Sequence, residues 1–165
     1  MQGKTLRTTL MRRSLNEWQV FQFNFIKYLL MTLNPKKLIA ILKDADIILA
    51  VFEAKQYSKI IGFPKTDQVM ISTAVSELAR NILKYAVKGE IILKILNENS
   101  RKGIEVIAQD KGPGIADLKK ALGDNFSTGG TLGIGLPGTQ RIMDEFLIDS
   151  APDQGTTIMV RKWIR

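Results

Sequence analysis

Residues 89–114 read GEIILKILNENSRKGIEVIAQDKGPG and contain two apolar runs with a polar run between them. Residues 90–96 and 103–109 have the length and composition of strands, and residues 97–102 suit a turn, so the stretch predicts an antiparallel hairpin. The second strand leads into Asp110, which is followed by Gly112 and Gly114. The hairpin therefore predicts a carboxylate at a strand end, beside a turn where glycine lets the backbone approach a ligand closely.

Helical and strand patterns flank this hairpin on both sides. Apolar residues spaced three and four apart, with Asp near helix starts and Gly after helix ends, indicate helices. The predicted helices are residues 44–61, 66–85, 116–122 and 136–145, and the other predicted strands are residues 38–42, 146–150 and 156–164. On the second helix, the apolar residues expected to share one face are Ile71, Val75, Leu78, Ile82 and Tyr85, and the first four of them are expected to point into the core. The mixture predicts an α+β fold, a two-layer α/β sandwich in which a mixed, mostly antiparallel sheet has its helices on one face.

The composition limits the chemistry available to this chain. Its 165 residues are enough for one domain with a sizeable core, and they include neither cysteine nor histidine. Without histidine, the chain cannot form a Ser-His-Asp or Cys-His nucleophilic site or carry a phosphohistidine. Without cysteine, it cannot form disulfides, thiolate zinc sites or redox-active thiols. Any chemistry must therefore use carboxylates, amides, hydroxyls, backbone N–H groups and hard cations.

The net charge of +8 comes mainly from the first segment. Residues 1–37 contain far more Lys and Arg than Asp and Glu, whereas residues 38–165 are nearly balanced. A nucleic-acid-binding domain should carry its basic residues on the folded body, so no nucleic-acid partner is predicted. Polar residues interrupt the aromatic first segment, which argues against a signal peptide and against stable membrane insertion. We predict a basic, aromatic-rich extension over residues 1–35, a folded domain over residues 36–165 and a cytoplasmic location.

Three polar residues on the second predicted helix lie four and three positions apart. Glu77, Asn81 and Lys84 are expected to project from one side of the helix. A carboxylate, an amide oxygen and an ammonium group on one stripe could hold a hydrated cation and a phosphate chain. The same pattern is also typical of a solvated helix face, which is the simpler interpretation of these residues alone.

Asp110 is the second candidate. Its carboxylate can only accept hydrogen bonds, which in an apolar pocket suits an exocyclic amine such as the 6-amino group of adenine. Considered by itself, the Asp-x-Gly sequence is also common turn chemistry.

The third candidate is the glycine-rich stretch FSTGGTLGIGLPG, residues 126–138. Amide groups around Gly133 and Gly135, close to a helix start, can point at an anion such as phosphate. Residues 133–138 also match the dinucleotide-binding fingerprint, but that fingerprint requires a strand directly before it, and residues 127–132 are not strand-like. A fourth candidate, Thr156, lies at the turn into the last strand, where its hydroxyl could reach a base through water.

Taken in order, these four elements resemble the nucleotide-binding motifs of the GHKL superfamily, the gyrase, Hsp90, histidine kinase and MutL ATPases. The matching residues are Glu77 with Asn81, Asp110 with Gly112 and Gly114, Gly133 with Gly135, and Gly155 with Thr156. Residues 76–81, SELARN, and 133–146, GIGLPGTQRIMDEF, are most similar to the RsbT-type serine/threonine switch kinases and the related anti-sigma regulatory factors. The resemblance implies a Bergerat-type, histidine-kinase-like ATP-binding domain over residues 36–165.

The resemblance also implies ATP and Mg²⁺ as cofactors and a role for each matching residue. Glu77 would be the catalytic base for the incoming hydroxyl, Asn81 would ligate Mg²⁺, and Asp110 would accept from the adenine amine. The nucleotide-binding residues implied besides these are Lys84, Gly112, Gly114, Gly133, Gly135, Leu136 and Thr156. A lid over the phosphates would come from roughly residues 119–132. Phosphoryl transfer requires mainly positioning and charge stabilisation, so it needs neither histidine nor cysteine.

The absence of a phosphoacceptor histidine implies transfer to a partner. The resemblance implies a STAS-domain protein, phosphorylated on Ser or Thr in a bacterial partner-switching module that regulates sigma-factor or stress signalling. It further implies a PP2C-type phosphatase or a sigma factor as a second partner. The alternative is a non-catalytic module that binds ATP and sequesters a sigma factor, but Glu77 favours catalysis because a pure binder needs no base. Residues 1–35 make the chain longer than usual for such proteins, which leaves partner choice and a homodimer open.

Overall fold

The structure, a computed structural model, describes residue 22, residues 36–123 and residues 135–165. In those ranges it contains five strands and four α-helices. The strands are β1 (Lys36–Ile41), β2 (Gly89–Glu98), β3 (Arg101–Asp110), β4 (Glu145–Ser150) and β5 (Thr156–Trp163). The helices are α1 (Asp44–Ile61), α2 (Lys65–Asn81), α3 (Leu118–Ala121) and α4 (Gly135–Ile142), and a single π-helical turn, Ile82–Ala86, continues α2. These elements belong to one unit, Pro35–Arg165; the division at residue 35 into an extension and a domain stays a prediction.

The five described strands form one sheet in the order β1-β2-β3-β5-β4, and every neighbouring pair is antiparallel. The predicted hairpin is confirmed as β2 and β3, joined at a turn in which Asn99 and Ser100 have positive φ. At the other end of β3, Asp110 lies opposite Gly89 in β2 and Thr156 in β5. The register therefore places the predicted adenine-binding carboxylate beside the predicted hydroxyl.

Helices α1 and α2 pack against the same side of the sheet and against each other. The strand residues buried there alternate along the chain, as expected for a half-covered sheet, and include Ile39, Ile41, Ile91, Leu93, Ile104, Val106, Ile158 and Val160. The helices contribute buried residues at helical spacing, among them Ala50, Ala54, Tyr57, Ile71, Val75 and Leu78. The predicted α+β sandwich with helices on one face is therefore confirmed.

The opposite face of the sheet carries a row of charged side chains across four strands. Glu105 lies 2.7 Å from Lys94 and 2.7 Å from Arg161, and Arg161 also reaches Glu145 at 3.4 Å. Burial alone would raise the pKa of Glu105, but the hydrogen bonds from Lys94 and Arg161 outweigh burial and hold the pKa below its ordinary value. The ionised carboxylate is therefore stabilised in the folded state.

Hydrogen bonds and an ion pair connect the carboxyl end of helix α4 to β5. Lys162, which is buried, donates to the carbonyl of Ile142 at 2.9 Å and lies 3.0 Å from Asp144. Burial would raise the pKa of Asp144, but bonds from the Trp163 backbone and from Lys162 outweigh it and lower the pKa. Because the Asp144 amide also donates to the carbonyl of Arg161, the chain leaves the helix here. The prediction that this helix continues to residue 145 is therefore wrong.

The second predicted helix differs from expectation in its last turn. Ile71, Val75, Leu78 and Ile82 are buried as predicted, but Tyr85 is 52% exposed, so the prediction that Tyr85 continues the same apolar face is wrong. The reason is the π-helical turn, whose wider spacing rotates the residues after Asn81 away from the regular helical stripe. Such turns often occur at functional sites.

Candidate functional site

A cleft of about 430 Å³ lies between the end of α2, the loop after β3 and the start of α4. Six of the residues predicted to form a site line it: Asn81, Asp110, Gly114, Gly135, Leu136 and Thr156. The remaining lining is mainly apolar and includes Ile82, Ile115 and Ile158. Residues far apart in sequence thus converge on one apolar cleft with few polar groups, the usual character of a small-molecule site.

Helix α2 supplies one wall of the cleft. Asn81 lies in the lining, and Glu77, one turn earlier, accepts a hydrogen bond from the backbone N–H of Gly135 at 3.3 Å. This contact connects α2 to the first residue of α4. Glu77 is therefore next to the cleft, although it is not one of the lining residues.

The π-helical turn decides which residue follows Asn81 into the cleft. Tyr85 lines the cleft, whereas Lys84 does not, and the Lys84 ammonium lies 5.0 Å from the centre of the Tyr85 ring. The regular helical stripe assumed in the sequence analysis would have placed Lys84 on the side of Asn81. Because the wider turn changes this, Lys84 is not among the described residues that line the cleft.

Asp110 is held in a fixed orientation at the end of β3. Its Oδ1 atom accepts the backbone N–H of Gly112 at 2.8 Å. Gly112 does not line the cleft; it donates this hydrogen bond and packs against Ala86, which a Cβ atom at position 112 would overlap. Within the described residues the Oδ2 atom has no recorded hydrogen-bond partner, which leaves it able to accept from a ligand.

Two glycines allow the loop after β3 to pack tightly on the turn before β5. Gly114 has φ +71°, and a Cβ atom there would overlap the carbonyl oxygen of Ala151. Gly155 has φ +78°, and a Cβ atom there would overlap the carbonyl oxygen of Asp110. Both positions therefore require glycine, for conformation and for space. The same two segments are joined by a bond of 2.8 Å from the Asp153 amide to the carbonyl of Pro113.

The start of α4 forms the wall opposite the loop. Gly135 opens this helix with φ +62°, and the hydroxyl of the buried Thr139 donates to its carbonyl at 2.9 Å. The amino end of a helix carries partial positive charge and free N–H groups, which suits an anion. Gly133 and residues 124–132 of the predicted lid lie outside the described residues.

The described residues contain no group of three or more Asp or Glu side chains that could hold a metal ion. The amide oxygen of Asn81 is of the ligand type that suits Mg²⁺, which also takes oxygens from bound phosphates and water. In the same described residues no helix is both long enough and apolar enough to cross a bilayer.

Sequence reasoning missed three residues. Tyr85 was grouped with the apolar face of the second helix because the π-helical turn cannot be recognised from the apolar pattern. Lys120 on α3 also lines the cleft but was identified only as part of the predicted lid. Ser150, at the end of β4, bonds to the hydroxyl of Thr156 at 2.9 Å, and only the strand register reveals this neighbour.

Residues 66–164 match the family model of histidine kinase-, DNA gyrase B-, and HSP90-like ATPases. The chain belongs to this family, so the resemblance identified from the sequence is confirmed. Membership confirms ATP as the predicted nucleotide, whereas Mg²⁺ and the roles of the individual site residues stay predictions.

Two curated relatives are similar over much of the chain. The serine/threonine-protein kinase RsbT of Bacillus subtilis (strain 168) is 44% identical over 133 residues, which cover 81% of this chain and 100% of that protein. The anti-sigma F factor of Thermoanaerobacter sp. (strain X514) is 35% identical over 100 residues, which cover 57% of this chain and 68% of that protein.

Two solved structures share the fold. One contains the RsbU and RsbW domains of a Mycobacterium tuberculosis protein, with a TM-score of 0.57 over 80% of this chain and 34% of that chain. The other is the SiaB–SiaC complex of Pseudomonas aeruginosa, with a TM-score of 0.50 over 85% of this chain and 97% of that chain. Both are 13% identical to this chain, so the likeness supports the fold alone.

Proposed function

We propose that this chain is an ATP-dependent protein serine/threonine kinase of a bacterial partner-switching module. The enzyme class, protein serine/threonine kinase, is as predicted from the sequence, and it agrees with the ATPase family and with the relationship to RsbT. The substrate that we propose is a Ser or Thr hydroxyl of a STAS-domain protein in the cytoplasm. The observation that carries the site assignment is the convergence of Asn81, Asp110 and Gly135 on one cleft.

The adenine end of the nucleotide would lie against the end of β3. Asp110 offers a carboxylate oxygen to the 6-amino group, and the adjacent Thr156 offers a hydroxyl. The apolar residues of the cleft, such as Ile115 and Ile158, would contact the faces of the base. Gly114 permits the close approach of the loop that this arrangement needs.

The phosphate end would lie between α2 and the start of α4. The amino end of α4 at Gly135 would attract the phosphates, and Asn81 would hold the cation with them. Mg²⁺, when bound, would neutralise charge that develops on the transferred phosphoryl group. Leu136 would contribute an apolar contact in the same region.

Glu77 is the residue that we assign to proton transfer. The hydroxyl oxygen of the partner forms a bond to the γ-phosphorus while the bond to the bridging oxygen breaks, and ADP leaves. The hydroxyl proton passes to the carboxylate of Glu77, which lies one helical turn from Asn81. The same carboxylate accepts from the backbone N–H of Gly135, which keeps it directed at the phosphate end.

The partners that we propose are those predicted from the sequence for a partner-switching module. A PP2C-type phosphatase or a sigma factor would bind the chain when the STAS-domain protein is not bound. The alternative is a module that binds ATP and sequesters a partner without transferring phosphate; the similarity to an anti-sigma F factor supports the sequestration, which both proposals share.

Phosphate transfer from radiolabelled ATP to purified STAS-domain proteins of the same genome tests the proposal. The decisive variant is Glu77→Gln, which keeps an oxygen able to accept from Gly135 but removes the base. We expect it to bind ATP normally and to lower the transfer rate by about 10²–10⁴. Glu98→Gln, an exposed position at the end of β2, is the matched control and should transfer at the normal rate. ATP binding without transfer by the unaltered chain to any of these proteins would support the non-catalytic alternative instead.

A further inference from the structure

The hydroxyl of Ser150 takes part in three hydrogen bonds beside the cleft. It accepts from the backbone N–H of Ile115 at 2.9 Å and donates to the carbonyl of Gly155 at 2.8 Å. It also lies 2.9 Å from the hydroxyl oxygen of Thr156. Ser150 thus contacts the loop after β3, the turn before β5 and a residue of the cleft lining at once.

The number of hydrogen atoms decides the direction of the third bond. A serine hydroxyl has one hydrogen and two lone pairs. A carbonyl oxygen can only accept, so the Ser150 hydrogen is committed to Gly155. In the bond between the two hydroxyls Thr156 must therefore be the donor, and Ser150 accepts both from it and from Ile115.

This arrangement determines what Thr156 can offer to a ligand. Its single hydrogen is used inside the protein, so the oxygen presents lone pairs to the cleft. Asp110, its neighbour in register, is likewise an acceptor. The two hydrogens of a 6-amino group could satisfy both of these acceptors, whereas the oxygen of a 6-oxo group would place its lone pairs against them.

We propose that Ser150 is a positioning residue for the nucleotide base, which orients the Thr156 hydroxyl so that the cleft selects a 6-amino over a 6-oxo purine. The inference rests on the proposed ATP site. Ser150 itself does not line the cleft and acts through Thr156 and through the loop that carries Gly114.

Equilibrium binding of ATP and of inosine triphosphate to the full chain tests this inference. Ser150→Ala frees the Thr156 hydrogen, which can then donate to a 6-oxo group. We expect the ratio of the two dissociation constants to fall roughly tenfold, and Ser150→Thr, which keeps the hydroxyl, to restore it. Ser72→Ala is the matched control, because among the described residues the Ser72 hydroxyl bonds only to the carbonyl of Gln68 on α2, at 2.8 Å.

Thr156→Val provides a second test that does not depend on the stability of the first variant. With the Thr156 hydroxyl absent, adding Ser150→Ala should leave the ratio unchanged. A purely structural role for Ser150 would weaken both nucleotides equally, and an unchanged ratio in Ser150→Ala would overturn the inference while leaving the ATP site in place. If the unaltered chain binds neither nucleotide, the proposed function itself fails.

Discussion

Replacing Asp110 with asparagine tests the assignment of the adenine-binding carboxylate. The Oδ1 atom of Asp110 accepts the N–H of Gly112 at 2.8 Å, and the amide oxygen of the variant can take over that bond. Its NH₂ group would then face the ligand, where it opposes the hydrogens of the adenine amine. The variant loses a hydrogen bond to a charged acceptor and gains an unsatisfied buried donor. Together these should weaken the binding free energy of ATP by about 3 kcal/mol, which is a roughly hundredfold increase in Kd.

Thermal unfolding with and without ATP measures this change. At an ATP concentration of about 100 times the normal Kd, binding stabilises the unaltered chain by about 2.7 kcal/mol, whereas Asp110→Asn should gain only about 0.4 kcal/mol. Without ATP the two melting temperatures should agree, because the bond to Gly112 is kept. Asp149→Asn, an exposed position on β4, is the control and should respond normally. Full stabilisation of Asp110→Asn by ATP would refute the assignment.

Three further predictions follow from the described contacts. Gly114→Ala should lower the free energy of unfolding by about 2 kcal/mol in urea titrations, because φ is +71° and Ala151 blocks the new methyl group, whereas Gly123→Ala meets only ordinary contacts and should be neutral. Glu105→Gln should cost about 2 kcal/mol at pH 7. Because the pKa of Glu105 is lowered in the folded state, the carboxylate stabilises the fold above the ordinary carboxyl pKa, and this stabilisation is lost as pH falls through the lowered value. A difference in unfolding free energy between the two chains that persists in strong acid would contradict this account. Deleting residues 1–30 should leave the ATP-induced shift in Tm unchanged, since every described residue of the cleft lining lies at Leu78 or later; loss of the shift in a folded truncation would place the segment in the site.

Much of the fold could be predicted because its signals are local. The hairpin of β2 and β3 has two apolar runs and a polar turn, and α1 ends at Gly62, which adopts the left-handed conformation expected of a helix stop. The order of the motifs along the chain was also enough to predict that Asn81, Asp110 and Gly135 share a site, because these motifs in this order resemble those of one ATPase family.

The errors arose where tertiary contacts override the local pattern. Tyr85 continues an apolar spacing of three and four, yet a π-helical turn moves it away from the buried residues of that face and into the cleft lining. Asp144 has good helical neighbours, but its bonds to β5 draw the chain out of α4. Ser150 could not be recognised because its three partners come from segments that only the folded sheet brings together.

A crystal structure of the chain with Mg²⁺ and a non-hydrolysable ATP analogue would test the central claim most directly. The account predicts the adenine amine within hydrogen-bond distance of Asp110, and the phosphates between Asn81 and the amino end of α4 at Gly135. A nucleotide bound at another surface, or bound in this cleft with its phosphates at Asp110, would contradict it.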